Sequence, residues 1–327
     1  MNFGLIALSI LSFSIAITVT GLFRHRFQSQ FLDIPNQRSS HTQPTPRGGG
    51  LGFIIAFAIV TMIASLTLDL SNSLLVWLTL TPLIIIGFID DRSNVPALVR
   101  YFVQLSGAGI AITSFGFLTI PALDSLSFVG QAIAVTLTVI GITALINFYN
   151  FMDGLDGLVA SVSTLQLIFL ALYLHQPLFL LLSAALLGFL YWNWFPAKIF
   201  MGDVGSTFLG AIIAIALLNS ENSFQAWQAF AITLPLTGDA IYTICCRLLR
   251  RENIFQGHRT HLYQRLQQSG WNHSQVTLTY LTVTGAIILA IITLGSMGAW
   301  LSLLGIIAVI GIGELYLRWG RINTNSL

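Results

Sequence analysis

The chain has 327 residues, of which 55% are hydrophobic and only 8% are charged, with a net charge of +2 at pH 7. Soluble domains carry about 25% charged residues, so this composition, with a mean hydropathy of +0.82, excludes a soluble globular protein. Repeated apolar runs of membrane-spanning length predict an all-α polytopic membrane protein. We expect residues 1–327 to form one integral membrane domain, with the lipid bilayer but no nucleic acid as a partner.

Apolar segments in chain order give about ten or eleven transmembrane helices. The candidate spans are residues 3–23, 50–68, 74–89, 97–115, 127–148, 157–174, 178–195, 206–219, 225–247, 275–294 and 298–317. The fourth and eighth are the weakest, because the fourth carries Arg100 and Gln104 and the eighth is short. Arg24 and Arg26 follow the first run and nothing basic precedes it. This pattern predicts a retained anchor with its N-terminus outside.

Alternation of these spans assigns each loop to one side of the membrane. One side receives the loops at residues 24–49, 90–96, 149–156, 196–205 and 248–274, together with the C-terminus. Nearly all Lys and Arg residues lie on or beside that side, so the positive-inside rule makes it cytoplasmic. The unusual polar motifs fall in the same loops. We therefore expect five loops to build one composite active site that faces the cytoplasm.

The first of these loops contains the sequences DIPN and PRGGG. Its Pro and Gly residues predict an ordered turn rather than a helix. Arg38, His41 and Arg47, beside the triple glycine, are candidates to hold phosphate oxygens. A basic juxtamembrane loop that touches anionic lipid headgroups is an equally good interpretation of this loop alone.

Two acidic pairs follow. Asp90 and Asp91 are adjacent at the end of the third span, where like charges repel unless a cation or a proton intervenes; a metal site, a general base and a solvated helix end all fit. Asp153 and Asp156 lie in the stretch NFYNFMDGLDGL at 147–158. A helix that begins there would carry both on one face of its first turn. A capped turn between two helices is the alternative.

The same stretch supplies Asn147 and Asn150, and a later loop supplies Asp203 in the sequence MGDVGS. Carboxylate and amide oxygens are suitable ligands for Mg²⁺, although a tight turn would also explain the glycines. Ser206 is a candidate N-cap for the following helix.

The last large loop contains HRTHLYQRL. Its His258 and His261, among several arginines, favour an anion site for phosphates over two ordinary surface histidines.

Two further acids lie in or near apolar spans. Asp239 is inside the ninth span, where a charge costs roughly 2.5–3.5 kcal/mol, so we expect it to face protein and to have a partner. Glu314 near the C-terminal end is expected to be solvated or to reach the membrane surface.

In order and over nearly the whole chain, these motifs resemble those of the polyprenyl-phosphate N-acetylhexosamine-1-phosphate transferases, glycosyltransferase family 4. The resemblance implies that undecaprenyl phosphate attacks the β-phosphate of a UDP-N-acetylamino sugar at a bacterial inner membrane. The products would be a lipid-diphosphate sugar and UMP. It also implies a requirement for Mg²⁺, for which Mn²⁺ could substitute, and a homodimer.

The resemblance also implies roles for individual residues. Asp203 resembles the principal metal ligand, and Asn150 a second contact to the metal. The catalytic candidates are Asp90, Asp91, Asp153 and Asp156. The substrate-binding candidates are Asp33, Asn36, Arg38, Arg47, Asn147, His258, Arg259 and His261.

One departure from the motifs of the family narrows the choice of donor sugar. The muramyl-peptide enzymes of the family carry three successive histidines where Arg259 and Thr260 separate His258 from His261. This form looks more like the enzymes that initiate O-antigen or related surface glycans, with phospho-MurNAc-pentapeptide transfer as the alternative. A membrane transporter would need deep charges in several spans, and the sequence offers only Asp239 and the shallow Arg100 and Arg247. A catalytically inactive scaffold would have lost motif aspartates, and none is missing.

Overall fold

The computed structural model describes residues 3–27, 31–35, 40–67, 73–254 and 256–324. Within these ranges the chain is a helix bundle, and its strand pairing is one two-residue antiparallel ladder. The all-α prediction is therefore confirmed. The helices are α1 (Phe3–Phe27), α2 (Gly50–Thr67), α3 (Ser73–Ser93), α4 (Ala97–Phe115), α5 (Ser127–Met152), α6 (Leu158–Tyr173), α7 (Leu178–Asn193), α8 (Asp203–Leu218), α9 (Ser223–Phe230), α10 (Leu234–Leu249), α11 (Leu262–Gln268), α12 (His273–Leu294) and α13 (Ser296–Thr324).

The predicted spans coincide with apolar helical segments of the described chain. Eight of these segments are long and apolar enough to cross a membrane, and one of the eight runs from α9 through the 3₁₀ turn Ala231–Thr233 into α10. Three shorter apolar helices, α6, α7 and α8, have 16 residues each. The chain is thus a multi-pass membrane protein. The fourth span, expected to be weak, is fully helical as α4.

Helix α8 lies at the centre of the bundle. All its residues except Asp203 and Thr207 are buried, as expected for a helix that is apolar on every side. Glycines allow its neighbours to approach closely: a Cβ on Gly50 would lie 2.6 Å from the Cα of Gly205, and one on Gly87 would lie 2.7 Å from the Cα of Val204. Helices α2 and α3 therefore pack backbone to backbone against the start of α8.

The described residues 31–35 and 40–49 of the first loop form no helix, as predicted. Strand β1 (Leu32–Asp33) pairs with β2 (Thr45–Pro46). The backbone then joins the distant loop before α8, because Gly49 N–H donates to Phe200 O at 2.9 Å and Gly50 N–H donates to Met201 O at 2.9 Å. Two of the predicted substrate-binding residues, Asn36 and Arg38, lie outside the described residues.

The second acidic pair does not begin a helix. Helix α5 continues to Met152 and α6 starts at Leu158, one residue after the predicted start of the span 157–174, so Asp153 and Asp156 occupy the turn between them. The hypothesis that both lie on the first turn of a helix is wrong, and the alternative, a turn between two helices, is correct. Gly157 adopts φ +71°, a left-handed conformation that a right-handed helix cannot include, so α6 can start only after it.

Glu314 is the other correction. The Arg265 guanidinium forms a two-pronged ion pair with the Glu314 carboxylate, with Nη2 donating to Oε2 at 2.9 Å. Both side chains are largely buried. The expectation of a solvated group is wrong, because α11 and α13 pack closely enough to hold the pair between them.

Candidate active site

Two adjoining cavities lie where the first, third, fourth and fifth predicted cytoplasmic loops meet the ends of α3 and α4. Asn150, Asp203 and Gln264 line both cavities and so mark their junction. The two predicted metal ligands are therefore brought together. Asp203 is 36% exposed, although it begins the most buried helix of the bundle.

The polar cavity is lined mainly by charged and amide groups. It contains six predicted site residues apart from those at the junction: Asp33, His41, Arg47, Asp91, Asp153 and Asp156. Such a lining suits a highly polar ligand rather than an apolar chain.

The second cavity, which we call the mixed cavity, combines charged groups with apolar walls. Leu83, Ile86 and Ile244 come from α3 and α10, whereas Asp90 and Arg100 supply charge. His258 and His261 complete it, together with Asn147. This cavity offers charged groups beside an apolar surface within the helix bundle.

The Asp91 carboxylate holds the N-terminus of α8. Its Oδ1 accepts the Asp203 N–H at 2.8 Å and its Oδ2 accepts the Val204 N–H at 3.2 Å. These are the backbone donors that a helix leaves unpaired. The sequence suggested Ser206 as the cap; that is wrong, because Ser206 is already in the helix and donates its hydroxyl to Gly202 O at 3.2 Å.

Its neighbour Asp90 has different partners. Asp90 Oδ1 accepts the Val95 N–H at 2.6 Å, and Oδ2 accepts Arg100 Nη1 at 2.6 Å. The same Arg100 nitrogen lies 3.4 Å from Asp203 Oδ2. Arg100 therefore connects Asp90 to the residue at the junction of the cavities. It is 39% exposed, so its guanidinium remains accessible to a ligand.

Two asparagines on the last turns of α5 behave differently. Asn147 Nδ2 donates to Gln104 Oε1 at 2.7 Å and to Thr143 O at 2.7 Å, which ties α5 to α4. Asn150 lies one turn further along α5 and reaches both cavities. Asn150, not Asn147, is therefore the amide of this pair placed at the junction.

The two members of the second acidic pair also have different contacts. Asp156 Oδ2 accepts the Ala197 N–H at 2.9 Å, and its Oδ1 lies 3.3 Å from His273 Nδ1. Asp153 lines the polar cavity, and burial raises its pKa to about 7, with the charges of Asp91 and Asp156 adding to the shift. Asp153 is thus a carboxylate whose protonation changes near neutral pH.

The histidine segment precedes α11. The His258 and His261 rings lie 4.9 Å apart. Burial lowers the pKa of His258 to about 4, and the charges of His261 and Arg247 lower it further against an opposing effect of Asp239. His258 is thus neutral at physiological pH. Arg259 Nη2 donates to Ser40 Oγ at 3.3 Å, which ties this segment to the first loop.

Sequence reasoning missed several residues at the site. Arg100 and Gln104 were named as residues that weaken a span and were given no role at the site. Polar groups four residues apart in an apolar helix share one face, so their spacing could have indicated a polar site. Gln264 and His273 carried no such signal. His273 begins α12 and contacts Asp156 only through the tertiary fold.

The junction offers few protein ligands for a metal. No group of three or more His, Cys, Asp or Glu side chains has metal-binding geometry in the part of the chain that the structure describes. Mg²⁺ retains several waters and is commonly held by one or two carboxylates together with substrate phosphates. The exposed Asp203 carboxylate, the Asn150 amide and the nearby Asp153 fit such a cation.

Comparison with known proteins agrees with this geometry. Residues 73–221 match the model of Glycosyl transferase family 4. The chain is similar to the "Probable undecaprenyl-phosphate N-acetylglucosaminyl 1-phosphate transferase" of Bacillus subtilis, with 31% identity over 83% of this chain and 79% of the relative. It is also 29% identical to the decaprenyl-phosphate N-acetylglucosaminephosphotransferase of Mycolicibacterium smegmatis, over 76% and 72% of the two chains. A phospho-N-acetylmuramoyl-pentapeptide-transferase of Staphylococcus carnosus is 29% identical over 91% of this chain and 98% of the relative.

The chain belongs to glycosyl transferase family 4. It is therefore a membrane-embedded transferase, and the resemblance inferred from its motifs is confirmed. The individual roles of the site residues stay predictions.

Proposed function

We propose that this protein transfers N-acetylhexosamine 1-phosphate from a UDP-N-acetylamino sugar to undecaprenyl phosphate. The product is a lipid-diphosphate sugar that initiates O-antigen or another cell-surface polysaccharide, and UMP is released. The observation that carries this proposal is the position of Asp203 and Asn150. They lie where a strongly polar cavity joins one with apolar walls, at the end of a membrane helix bundle.

The two cavities correspond to two chemically different substrates. The nucleotide sugar is polar throughout, which suits the cavity lined by Asp33, Arg47 and Asp153. A prenyl phosphate is a single charged group on a long apolar chain, which suits Arg100 beside Leu83 and Ile244. The reacting phosphates would then meet at the shared residues.

The reaction joins two anions. An oxygen of the prenyl phosphate forms a bond to the β-phosphorus of the donor, and the bond between that phosphorus and the oxygen bridging it to the α-phosphorus breaks. The bridging oxygen leaves with its electron pair on UMP. UMP is a stable phosphate leaving group, so the step needs little proton donation.

We include Mg²⁺ in the proposal, with Mn²⁺ able to substitute, and assign Asp203 and Asn150 to hold it. When bound, it would supply positive charge that offsets the repulsion between the two phosphates. The protein adds Arg100 for the acceptor phosphate, while Arg47 lines the polar cavity and donates to the backbone oxygen of Asp91. Neutral His258 lines the mixed cavity and can donate a hydrogen bond to a substrate phosphate there.

The proposal also gives the protein an orientation and an assembly state. The basic residues in the loops around the site support a position on the cytoplasmic side of the bacterial inner membrane. Labelling of single cysteines from either side of sealed vesicles tests this orientation. A homodimer, supported by the family resemblance, is tested by the mass of the detergent-solubilised protein in light scattering.

The decisive assay uses purified protein, undecaprenyl phosphate and a panel of UDP-N-acetylamino sugars, including N-acetylglucosamine and 6-deoxy donors. We expect UMP release with one or more donors, only with Mg²⁺ or Mn²⁺, and a lipid product whose mass equals the acceptor plus the sugar phosphate. No UMP release from any donor would contradict the proposal. UMP release without the lipid acceptor would contradict it as well.

Phospho-MurNAc-pentapeptide transfer is the second candidate. It is favoured by the similarity to the Staphylococcus carnosus protein over 91% of this chain. UDP-MurNAc-pentapeptide belongs in the same donor panel, and turnover with that donor alone would establish this candidate instead.

A further inference from the structure

Asp239 is a buried carboxylate in α10 with an unusually complete set of partners. It is 1% exposed. Oδ1 accepts the Leu262 N–H at 2.8 Å and the Thr243 hydroxyl at 3.1 Å. Oδ2 accepts the Tyr263 N–H at 3.0 Å and the Tyr280 hydroxyl at 2.7 Å. The prediction that this acid faces protein and has a partner is confirmed.

Two of these donors identify what Asp239 holds. Leu262 and Tyr263 are the first two residues of α11, whose N–H groups have no acceptor within their own helix. A carboxylate at a helix N-terminus also interacts favourably with the helix dipole. Helix α11 is thus fixed at its N-terminus by a residue from a membrane-spanning helix.

The histidine segment ends where Asp239 binds. His261 is the N-cap residue of α11, and its Nδ1 lies 3.6 Å from Asp239 Oδ1. The His261 backbone N–H donates to Gln264 Oε1 at 3.3 Å. The position of His261, and of the His258 ring packed against it, therefore depends on how α11 is held.

The other side of α11 touches the acidic turn. The Tyr263 hydroxyl donates to Phe151 O at 3.0 Å. A Cβ on Gly154 would lie 2.2 Å from the Tyr263 hydroxyl oxygen, so only glycine allows this approach. Helix α11 thereby connects Asp239 to the turn that carries Asp153.

We infer that Asp239 is a positioning residue for the transfer reaction. It lines neither cavity of the candidate active site, so it acts through α11. It sets the distance between the His258 and His261 rings on one side and the turn carrying Asp153 on the other. The rings line the mixed cavity and the turn lines the polar cavity. Both substrate sites therefore depend on α11, and the kinetic consequence rests on the proposed function.

The test is Asp239→Asn in the full-length protein. An amide oxygen can accept fewer of these hydrogen bonds, so backbone hydrogen exchange over residues 258–268 should accelerate. The KM for the UDP-sugar should rise on the order of tenfold, and the KM for undecaprenyl phosphate should rise as well, because the histidine rings line the mixed cavity. A mere loss of folded protein would lower the maximal rate without changing either KM.

Thr243→Val removes only a hydroxyl donor from Asp239 and should leave exchange and both KM values at the wild-type level.

A second pair of variants keeps Asp239 intact. Leu262→Pro deletes one N–H that Asp239 accepts, and proline is tolerated at the first position of a helix. His261 has φ −59° and ψ 148°, which suits a residue before proline. Leu262→Ala loses the same side-chain packing but keeps the N–H. We expect the proline variant to show the higher donor KM and the faster exchange.

Wild-type exchange and donor KM in Asp239→Asn would overturn the inference, as would equal behaviour of Leu262→Pro and Leu262→Ala. Failure of the proposed function has a different signature. In that case the wild-type protein releases no UMP from any donor, yet the exchange comparison still tests whether Asp239 holds α11.

Discussion

The two acidic pairs look alike in the sequence, but their members have different surroundings in the structure. At the end of α3, both oxygens of Asp91 accept backbone N–H groups of α8, whereas Asp90 pairs with Arg100. In the turn before α6, both acids line the polar cavity, but Asp156 is held by Ala197 and His273. One acid of each pair therefore binds the backbone of a distant segment, whereas the other, Asp90 beside Arg100 or Asp153 in the polar cavity, is the better candidate for chemistry.

This division bears on the predicted catalytic set. All four aspartates were predicted to be catalytic. The geometry favours Asp90 and Asp153 as the groups that meet substrate or cation, and Asp91 and Asp156 as the groups that position them. Equal losses of activity on substitution of the two members of a pair would contradict this division.

The largest expected effect is that of Asp153→Asn. Because this carboxylate lines the polar cavity, we expect kcat to fall by about 10²–10⁴-fold, the range for loss of a catalytic group. The melting temperature should stay close to that of the wild-type protein. UMP release under saturating substrates measures kcat, and fluorescence-detected unfolding in detergent measures stability.

Asp156→Asn is the matched comparison. The asparagine retains an oxygen for the Ala197 N–H, so kcat should fall much less than in Asp153→Asn. Equal losses in the two variants would show that the members of this pair do not differ in function.

A smaller effect, on stability rather than turnover, is expected from Asp91→Ala. The change leaves the Asp203 and Val204 N–H groups without their acceptor, at a cost of about 2 kcal/mol in the free energy of unfolding. Thermal unfolding in detergent should show a lower midpoint. Glu221→Gln, at an exposed acid far from these loops, serves as the control. An unchanged midpoint for Asp91→Ala would refute its capping role.

The smallest effect concerns pH. Asp153 has a pKa of about 7, so its carboxylate is protonated below that pH and ionised above it. A cation binds the ionised form, so the affinity for Mg²⁺ should fall as pH decreases from 8 to 6, by up to about tenfold for one such group. Calorimetric titration with Mg²⁺ measures this dependence. Asp153→Asn should weaken this dependence, and an undiminished dependence in that variant would exclude Asp153 as its source.

The sequence predicted the bundle well because bilayer thickness and apolar runs set where helices begin and end. The fifth span shows the limit: α5 continues four residues beyond the predicted Phe148, through Tyr149 and Asn150 to Met152. Polar residues at the end of a membrane helix can stay helical, so the end of the apolar run does not mark the end of the helix. Helix α6 begins only after Gly157, whose left-handed conformation could not be predicted from the sequence pattern.

The candidate site was predicted as a set of loops, but not as a set of partners. That Asp91 would cap α8 depends on the close packing of Gly87 against Val204, which joins residues over a hundred positions apart. Arg100 was visible as a charge in an apolar run, yet its pairing with Asp90 required the tertiary fold. Residue types predicted the chemistry of the site. Packing determined which carboxylates bind backbone N–H groups and which face a cavity.

The central claim is that Asp203, at the junction of the two cavities, holds the cation that allows one phosphate to attack another. Mg²⁺-dependent UMP release by the wild-type protein and by Asp203→Asn, with the donor that the panel identifies, tests it most directly. We predict that Asp203→Asn lowers turnover by more than about a hundredfold while the protein remains folded. Near-normal turnover by the folded Asp203→Asn variant would contradict the claim.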